Sequence, residues 1–231
     1  MSGYTYCMSD IHNDYDSFVE MLNKISFSPQ DKMYIVGDVF DRGMKPAELY
    51  REIRQHDNIH VLRGNHDQWV MEYIHNYYGK GVKNSYYYNT FEYLQEQASE
   101  EEIIEIADWI AALPFYEIVT VNGKRYQLAH ARTDAEPEKV SDSSSFLMGY
   151  DIDYIHFLRE GLADTDYISV CGHIPTANIR AMVRERQVVP HRVWSNYKGN
   201  VFIIDCGNGY RGEVGRALGC LRLDDNLCFY V

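Results

Sequence analysis

The chain has 231 residues, 45% of them hydrophobic and 24% charged, so it is long enough to bury the core of one large domain. Lys and Arg number 22 against 34 Asp and Glu, which gives a formal net charge of -12. Nucleic-acid binding draws much of its free energy from counterions that a basic surface releases, so this charge argues against a nucleic-acid partner.

The N-terminal residues MSGYTYCMSD lack a charged segment followed by a long apolar run. No apolar run in the chain approaches the roughly 20 residues that cross a bilayer. We therefore expect a cytoplasmic protein with no membrane contact, and the sequence predicts no oligomeric state. Five cysteines without CxxC spacing, four of them in apolar runs, favour reduced core residues over zinc ligands or disulfides.

Strand and helix patterns alternate through the first third of the chain. Strands are predicted at 3–8, 32–36 and 59–62, and helices at 14–25 and 46–55. Asp14 is a candidate N-cap for the first helix. This alternation predicts a largely parallel sheet covered by helices.

The rest of the chain has a different pattern. Residues 66–112 are mostly helical in spacing, which indicates a helical insertion or cap within a single domain over 1–231. FYEIVTV and KRYQLAHA flank Asn122-Gly123 and predict a β-hairpin. Further strands are predicted at 167–171, 201–205, 216–223 and 227–231. We therefore predict an α/β fold, a two-sheet β-sandwich flanked by helices.

Polar motifs stand just after the predicted strands. They are SDIHN (9–13), GDVFDRG (37–43), RGNHD (63–67), His130 and Gly172-His173. GDVFDRG alone has an ordinary explanation, a turn in which Arg42 pairs with Asp38 or Asp41. Because the carboxyl ends of strands in an open α/β sheet meet at one crevice, the motifs together predict a site.

The donor types in these motifs indicate the chemistry. Carboxylates, imidazoles and an amide oxygen, without thiolates, suit divalent manganese, iron or zinc. They exceed the four ligands of a structural zinc, and one carboxylate can bridge two ions roughly 3.5–4 Å apart. The sequence therefore predicts a two-metal hydrolase, in which the ions lower the pKa of a shared water and neutralise charge on a phosphoryl group.

The ordered motifs resemble the calcineurin-like metallophosphoesterase superfamily over nearly the whole chain. The DRG and GHIPT sequences and the tail VFIIDCGNGYRGEVGRALGCLRLDD are similar to its phosphoprotein phosphatase branch, especially small bacterial and phage serine/threonine phosphatases. The resemblance implies an α/β/β/α sandwich and two divalent ions, manganese first, with iron or zinc as alternatives.

The resemblance also implies a role for each motif residue. The first metal would be bound by Asp10, His12 and Asp38, and the second by Asp38, Asn65, His130 and His173. A water or hydroxide bridging the two metals would attack in line, and His66, held by Asp41, would be the general acid.

The resemblance further implies two arginines that bind the substrate phosphate. Arg42 is the first. Arg159 is the best match to the second, although a solvated helix arginine paired with Glu160 or Asp153 explains it equally well.

The sequence departs from the family pattern at three positions. Ser9 and Asn13 replace the usual glycines of the first motif, where they either alter the turn or add polar contacts. Asp67 stands where many protein phosphatases have Glu. The Tyr-rich stretch 77–88 is interpreted as aromatic packing of the helical segment ahead of a substrate-recognition lip.

The predicted function is a metal-dependent serine/threonine protein phosphatase, acting on a phosphorylated protein or a small phosphoester. One alternative is a diadenosine tetraphosphate (dinucleoside polyphosphate) hydrolase, which shares these motifs. Another is a catalytically inactive metal-binding regulatory protein, which is disfavoured because every implied ligand and the acid are present.

Overall fold

The structure is a computed structural model that describes residues 3–80, 88–149, 153–185, 189, 191–210 and 215–231. Its strands are β1 (Thr5–Met8), β2 (Lys32–Val36), β3 (Ile59–Leu62), β4 (Tyr116–Val121), β5 (Lys124–Ala129), β6 (Ile168–Cys171), β7 (Trp194–Ser195), β8 (Val201–Ile203), β9 (Gly219–Arg222) and β10 (Cys228–Tyr230). Its α-helices are α1 (Tyr15–Lys24), α2 (Pro46–Arg54), α3 (Asn65–Lys80), α4 (Tyr88–Gln97), α5 (Glu100–Ala112), α6 (Ser144–Met148), α7 (Tyr154–Glu160) and α8 (Thr176–Met182).

The described strands form two five-stranded sheets. The first has the order β10-β9-β1-β2-β3, in which β1, β2 and β3 are parallel and β9 and β10 are antiparallel. The second has the order β4-β5-β6-β8-β7, with β5, β6 and β8 parallel and both edge strands antiparallel. The predicted two-sheet α/β sandwich is confirmed.

The period of two along each strand explains the layers. Tyr6 and Met8 on β1 belong to the core between the first sheet and the helices, whereas Cys7 between them belongs to the core between the sheets. On the far side, α7 and α8 cover the second sheet through Phe157 and Ile179. The order of layers is therefore helix, sheet, sheet, helix.

Local signals explain several element boundaries. The Asp14 side chain accepts a hydrogen bond from the Ser17 amide and caps α1, as predicted. Helices α3, α4 and α5 occupy the stretch between β3 and β4, where the helical insertion is predicted. The single-domain organisation over 1–231 stays a prediction.

The cysteines and tyrosines take structural places in the described core. All five thiols are free, four of them buried and Cys228 half-buried, as predicted. Tyr77 and Tyr78 pack against Phe91, with ring centroids 4.5 and 6.0 Å from it. The remainder of the Tyr-rich stretch, 81–87, lies outside the described residues.

No described helix has the length and apolar content that crossing a bilayer requires. The cytoplasmic location stays a prediction.

Candidate metal centre and acid site

The turns after the parallel strands meet at one edge of the sandwich. The amides of Asp10 and His12 donate to the carbonyls of Gly37 and Asp38 at 3.0 and 3.1 Å, which joins the turns after β1 and β2. The His173 amide donates to Asp10 Oδ2 at 3.0 Å, which joins the two sheets. The sequence motifs therefore converge as predicted from strand topology.

In these turns several residues have a positive φ, a backbone conformation that residues other than glycine rarely adopt. Asp10, His12 and Asp38 each have φ 54°, and His173 has φ 69°. Such conformations cost roughly 1–3 kcal/mol each and persist where the surrounding structure holds them, which is typical of functional sites.

Two groups of metal-ligand type form at this edge. Asp10, His12 and Asp38, all buried, make one group, and Asp38, His130 and His173 make the other. Within each group one donor atom per residue lies within 4.8 Å of the rest. Asp38 belongs to both, so its carboxylate lies between two candidate cation positions.

Asn65 completes the second group. Its Oδ1 lies 2.9 Å from both His130 Nε2 and His173 Nδ1. His130 Nε2 is also 3.3 Å from Asp38 Oδ2. The amide oxygen and the carboxylate of the two turns therefore face the same pair of imidazoles.

Backbone carbonyls orient the buried imidazoles. His12 Nδ1 donates to the Phe40 carbonyl at 3.1 Å, and His130 Nδ1 donates to the Val36 carbonyl at 2.9 Å. The opposite Nε2 atoms then face the carboxylates. A second hydrogen bond of this kind is what holds metal-binding histidines in one tautomer, so these residues fit divalent cations.

Burial and the close packing of carboxylates and imidazoles shift the pKa values of the residues in the two donor groups. Burial lowers the pKa of His12 and of His173 to about 3, so both are neutral near pH 7. Burial raises the pKa of Asp10 to about 6. Burial alone would lower the pKa of His130, but the Asp38 and Asp10 carboxylates raise it to about 10.

His66 lies beside this centre in a row of polar contacts. Its Nδ1 donates to Asp41 Oδ2 at 2.7 Å, and Arg42 Nη2 lies 3.0 Å from its Nε2. Because a guanidinium only donates, Nε2 accepts in this arrangement and its lone pair faces Arg42. Burial opposes ionisation of Asp41, but the hydrogen bond from His66 lowers its pKa overall.

The buried carboxylate of Asp67 connects the turns after β2 and β3. Its carboxylate accepts hydrogen bonds from the amides of Asp38, Phe40 and Gly64 at 2.9, 3.0 and 2.8 Å. Asp38 Oδ1 in turn accepts the His66 amide at 2.9 Å. The departure from Glu at this position therefore keeps a buried carboxylate that connects the second and third motifs.

The two predicted phosphate-binding arginines differ in position. Arg42 is exposed and contacts His66. Arg159 is exposed on α7, and the described contacts give it no neighbour at the centre; its carbonyl accepts the Asn196 side-chain amide at 3.2 Å. Its predicted role stays a prediction.

Sequence reasoning missed the contribution of the segment after β8. A Cβ on Gly209 would lie 2.2 Å from His12 Cδ2 and 2.5 Å from Arg42 Nη1. The backbone of Gly209 is therefore in close contact with His12 of the first donor group and with Arg42. The guanidinium carbons of Arg42 and Arg216 lie 4.6 and 4.4 Å from the centroid of the Tyr210 ring. The only signal was the likeness of the tail to the family's closing strands.

A cavity of about 460 Å³ borders Asn65. Trp69, Phe115, Leu147 and Met148 contribute apolar surface to it. The Trp69 and His66 ring centroids are 4.9 Å apart. Apolar surface of the cavity therefore lies next to His66.

A comparison with protein families decides the assignment. The model of the family described as calcineurin-like phosphoesterase matches residues 4–202. The chain belongs to the calcineurin-like phosphoesterases.

Two curated relatives of this calcineurin-like phosphoesterase are symmetrical bis(5'-nucleosyl)-tetraphosphatases. That of Cronobacter sakazakii is 27% identical over 129 residues, covering 55% of this chain and 42% of the relative. That of Paracidovorax citrulli is 26% identical over 152 residues, covering 62% and 51%. The likeness therefore spans about half the length of the relatives.

Solved structures share the fold at low identity. A protein provisionally assigned as a diadenosine tetraphosphatase has a TM-score of 0.67 at 14% identity, covering 100% of this chain and 94% of that one. A serine/threonine phosphatase from Saccharomyces cerevisiae has a TM-score of 0.59 at 15% identity, covering 97% and 73%. The calcineurin-like phosphoesterases depend on two metal ions, and the two donor groups of this chain match that requirement.

Proposed function

We propose that the protein hydrolyses phosphoric esters or anhydrides at a two-metal centre. The shared position of Asp38 in both donor groups is the observation that supports this most directly. Asp10, His12 and Asp38 would hold one ion, and Asp38, Asn65, His130 and His173 the other. Bound divalent ions would neutralise phosphate charge and lower the pKa of water at the centre.

Manganese is the proposed metal, with iron or zinc as alternatives. The donors are carboxylate and amide oxygens and imidazole nitrogens, which hard and borderline divalent ions accept. The five thiols lie elsewhere in the core or near its edge, so none joins either donor group.

His66 is the proposed general acid. In the free protein Arg42 donates to its Nε2, which leaves no proton there to give away. A substrate phosphate would compete for the Arg42 donors, because a charge-assisted bond to phosphate is stronger than one to a neutral imidazole. Nε2 would then take a proton from solvent water and pass it to the leaving oxygen, with Nδ1 held by Asp41.

The proposed substrate class is a dinucleoside polyphosphate, ahead of a phosphoprotein. The curated relatives are tetraphosphatases. This favours a dinucleoside polyphosphate hydrolase over the serine/threonine protein phosphatase that the motifs predict. The cavity beside Asn65 offers apolar surface for a nucleoside, and Arg216 adds a second guanidinium at the Tyr210 ring that Arg42 also contacts. Phosphoserine in proteins stays the second candidate because of the DRG and GHIPT motifs.

The test compares three substrates after metal removal. Chelator-stripped protein, with and without Mn²⁺, is assayed on p-nitrophenyl phosphate, a phosphoserine peptide and diadenosine tetraphosphate. We expect Mn²⁺-dependent turnover of all three, with the highest kcat/KM for the tetraphosphate and two nucleoside diphosphates as its products. Higher kcat/KM for the peptide would reverse the order of the two candidates.

The variant His66→Asn should lose at least about a hundredfold in kcat on the phosphoserine peptide, whose leaving oxygen is basic, and much less on p-nitrophenyl phosphate. His75→Asn is the matched control, since His75 lies on the same helix, α3, and pairs with exposed Asp108 among the described residues. Folded protein that binds Mn²⁺ without turnover of any substrate would overturn the hydrolase proposal in favour of a metal-binding regulatory protein.

A further inference from the structure

Thr90 connects the helical segment to the acid site. It lies on α4, and only 1% of it is exposed. Its hydroxyl donates to Asp41 Oδ1 at 3.1 Å, while Oδ2 of the same carboxylate accepts from His66 Nδ1 at 2.7 Å. The two carboxylate oxygens of Asp41 are thus used by two residues from different parts of the chain.

The same hydroxyl has a partner on its other side. Asn13 Nδ2 lies 3.5 Å from Thr90 Oγ1 and donates to the Gly43 carbonyl at 3.1 Å. Because an amide N–H can only donate, the Thr90 oxygen accepts there and its own proton is left for Asp41. Asn13 and Thr90 are both buried, so water does not compete strongly for these bonds.

This arrangement restricts Asp41. The residue has φ 81°, a conformation that needs support from its surroundings. A carboxylate held through one oxygen can still turn about its χ2 angle, which is a broad torsion. A second hydrogen bond to the other oxygen fixes the carboxylate plane, and with it the direction of the hydrogen bond from His66 Nδ1.

We propose that Thr90 is a positioning residue for the acid site, acting on His66 through Asp41. The proposal rests on the proposed function, in which His66 Nε2 supplies a proton to the leaving oxygen. Asn13 extends the arrangement, since it orients the Thr90 hydroxyl from the turn after β1. Thr90 on α4 thereby contributes to proton transfer although it is itself buried away from the substrate side of His66.

The test uses Thr90→Val, which keeps the shape and removes the hydroxyl, and Thr90→Ser, which keeps the hydroxyl. Phenyl phosphate has a basic leaving oxygen that needs the acid, whereas p-nitrophenyl phosphate needs it little. We expect Thr90→Val to lower kcat for phenyl phosphate about tenfold, with KM unchanged, and kcat for p-nitrophenyl phosphate less than about twofold. Thr90→Ser should restore most of the loss.

A second measurement does not depend on turnover. In the intact protein, the His66 Nδ1 proton gives a nitrogen-correlated NMR signal, which is assigned by its disappearance in His66→Asn. We expect Thr90→Val to broaden it through faster exchange with water, and Thr90→Ser to retain it. Mn²⁺ titration of each variant checks that the metal centre is intact.

Three outcomes separate the possibilities. Equal loss of kcat on both phenyl esters, or an unchanged His66 signal in Thr90→Val, would overturn the positioning role. Absence of turnover in the wild-type protein would overturn the proposed function instead, and the NMR comparison would then decide whether Thr90 holds Asp41 and His66.

Discussion

The carboxylate of Asp67 accepts the backbone amide of Asp38 at 2.9 Å, so the residue after His66 holds the turn that presents the shared Asp38 carboxylate. Burial raises the pKa of Asp67 to about 6, with the Asp38 carboxylate adding to the effect. Three backbone donors surround it nevertheless. The same contact that builds the site thus places two carboxylates in one buried region.

Asp67→Asn should destabilise both the fold and the metal centre. An amide has one acceptor oxygen, so its nitrogen would face one of the backbone donors and leave a buried N–H unpaired. We expect a loss of about 1–3 kcal/mol in the free energy of unfolding, measured by urea denaturation without metal. Asp16→Asn, which breaks the exposed pair with Lys45, should leave the urea midpoint within error of wild type. Equal losses for the two variants would contradict the bracing role.

Metal affinity should increase with pH. Asp10 has a pKa of about 6 and His130 of about 10 in the metal-free protein, so both are raised and hold protons that a cation must displace. His12 and His173, with pKa about 3, are already neutral and release none. Metal binding should therefore release one proton between pH 6 and 10, and a second proton below pH 6.

The apparent Kd for Mn²⁺ should therefore fall about tenfold per pH unit between about pH 6.5 and 8.5, and more steeply below 6. Calorimetric titration in two buffers of different ionisation enthalpy measures the released proton directly. A pH-independent Kd with no proton release would contradict the assignment of these residues as ligands.

The sequence predicts that the candidate ligands meet, because each of them stands in a turn directly after a strand and strand topology brings those turns together; their role as ligands stays a prediction. It predicts other parts poorly. Helices α6, α7 and α8 have 5 to 7 residues, too few to show a helical period. Thr90 has no motif, and its contact with Asp41 spans 49 residues, so only the packed chain reveals it.

Gly209→Ala should displace His12 and weaken the first donor group. The added Cβ would lie 2.8 Å from His12 Nε2 and 2.5 Å from Arg42 Nη1, closer than packed atoms tolerate. We expect Mn²⁺ affinity to fall at least about tenfold, measured by calorimetry at constant pH. Gly79→Ala is the matched control, since no atom of the described residues lies within 4 Å of its added Cβ in α3. Gly79→Ala should stabilise the protein by about 0.5–1 kcal/mol. Unchanged metal affinity in Gly209→Ala would contradict the close approach of Gly209 to His12.

Arg216→Met should separate polyphosphate from monoester hydrolysis. Its guanidinium carbon and that of Arg42 lie 4.4 and 4.6 Å from the Tyr210 centroid, so both cations contact one ring. Under the proposed function Arg216 would bind a second phosphate of a polyphosphate, whereas a monoester would need only Arg42. We expect KM for diadenosine tetraphosphate to rise about tenfold, with kcat/KM for p-nitrophenyl phosphate within about twofold of wild type. Arg125→Met is the control, because Arg125 stacks on Tyr167 at the same 4.4 Å in an exposed pair with Asp166. Equal losses on both substrates would show that Arg216 supports the site structurally instead of contacting the second phosphate.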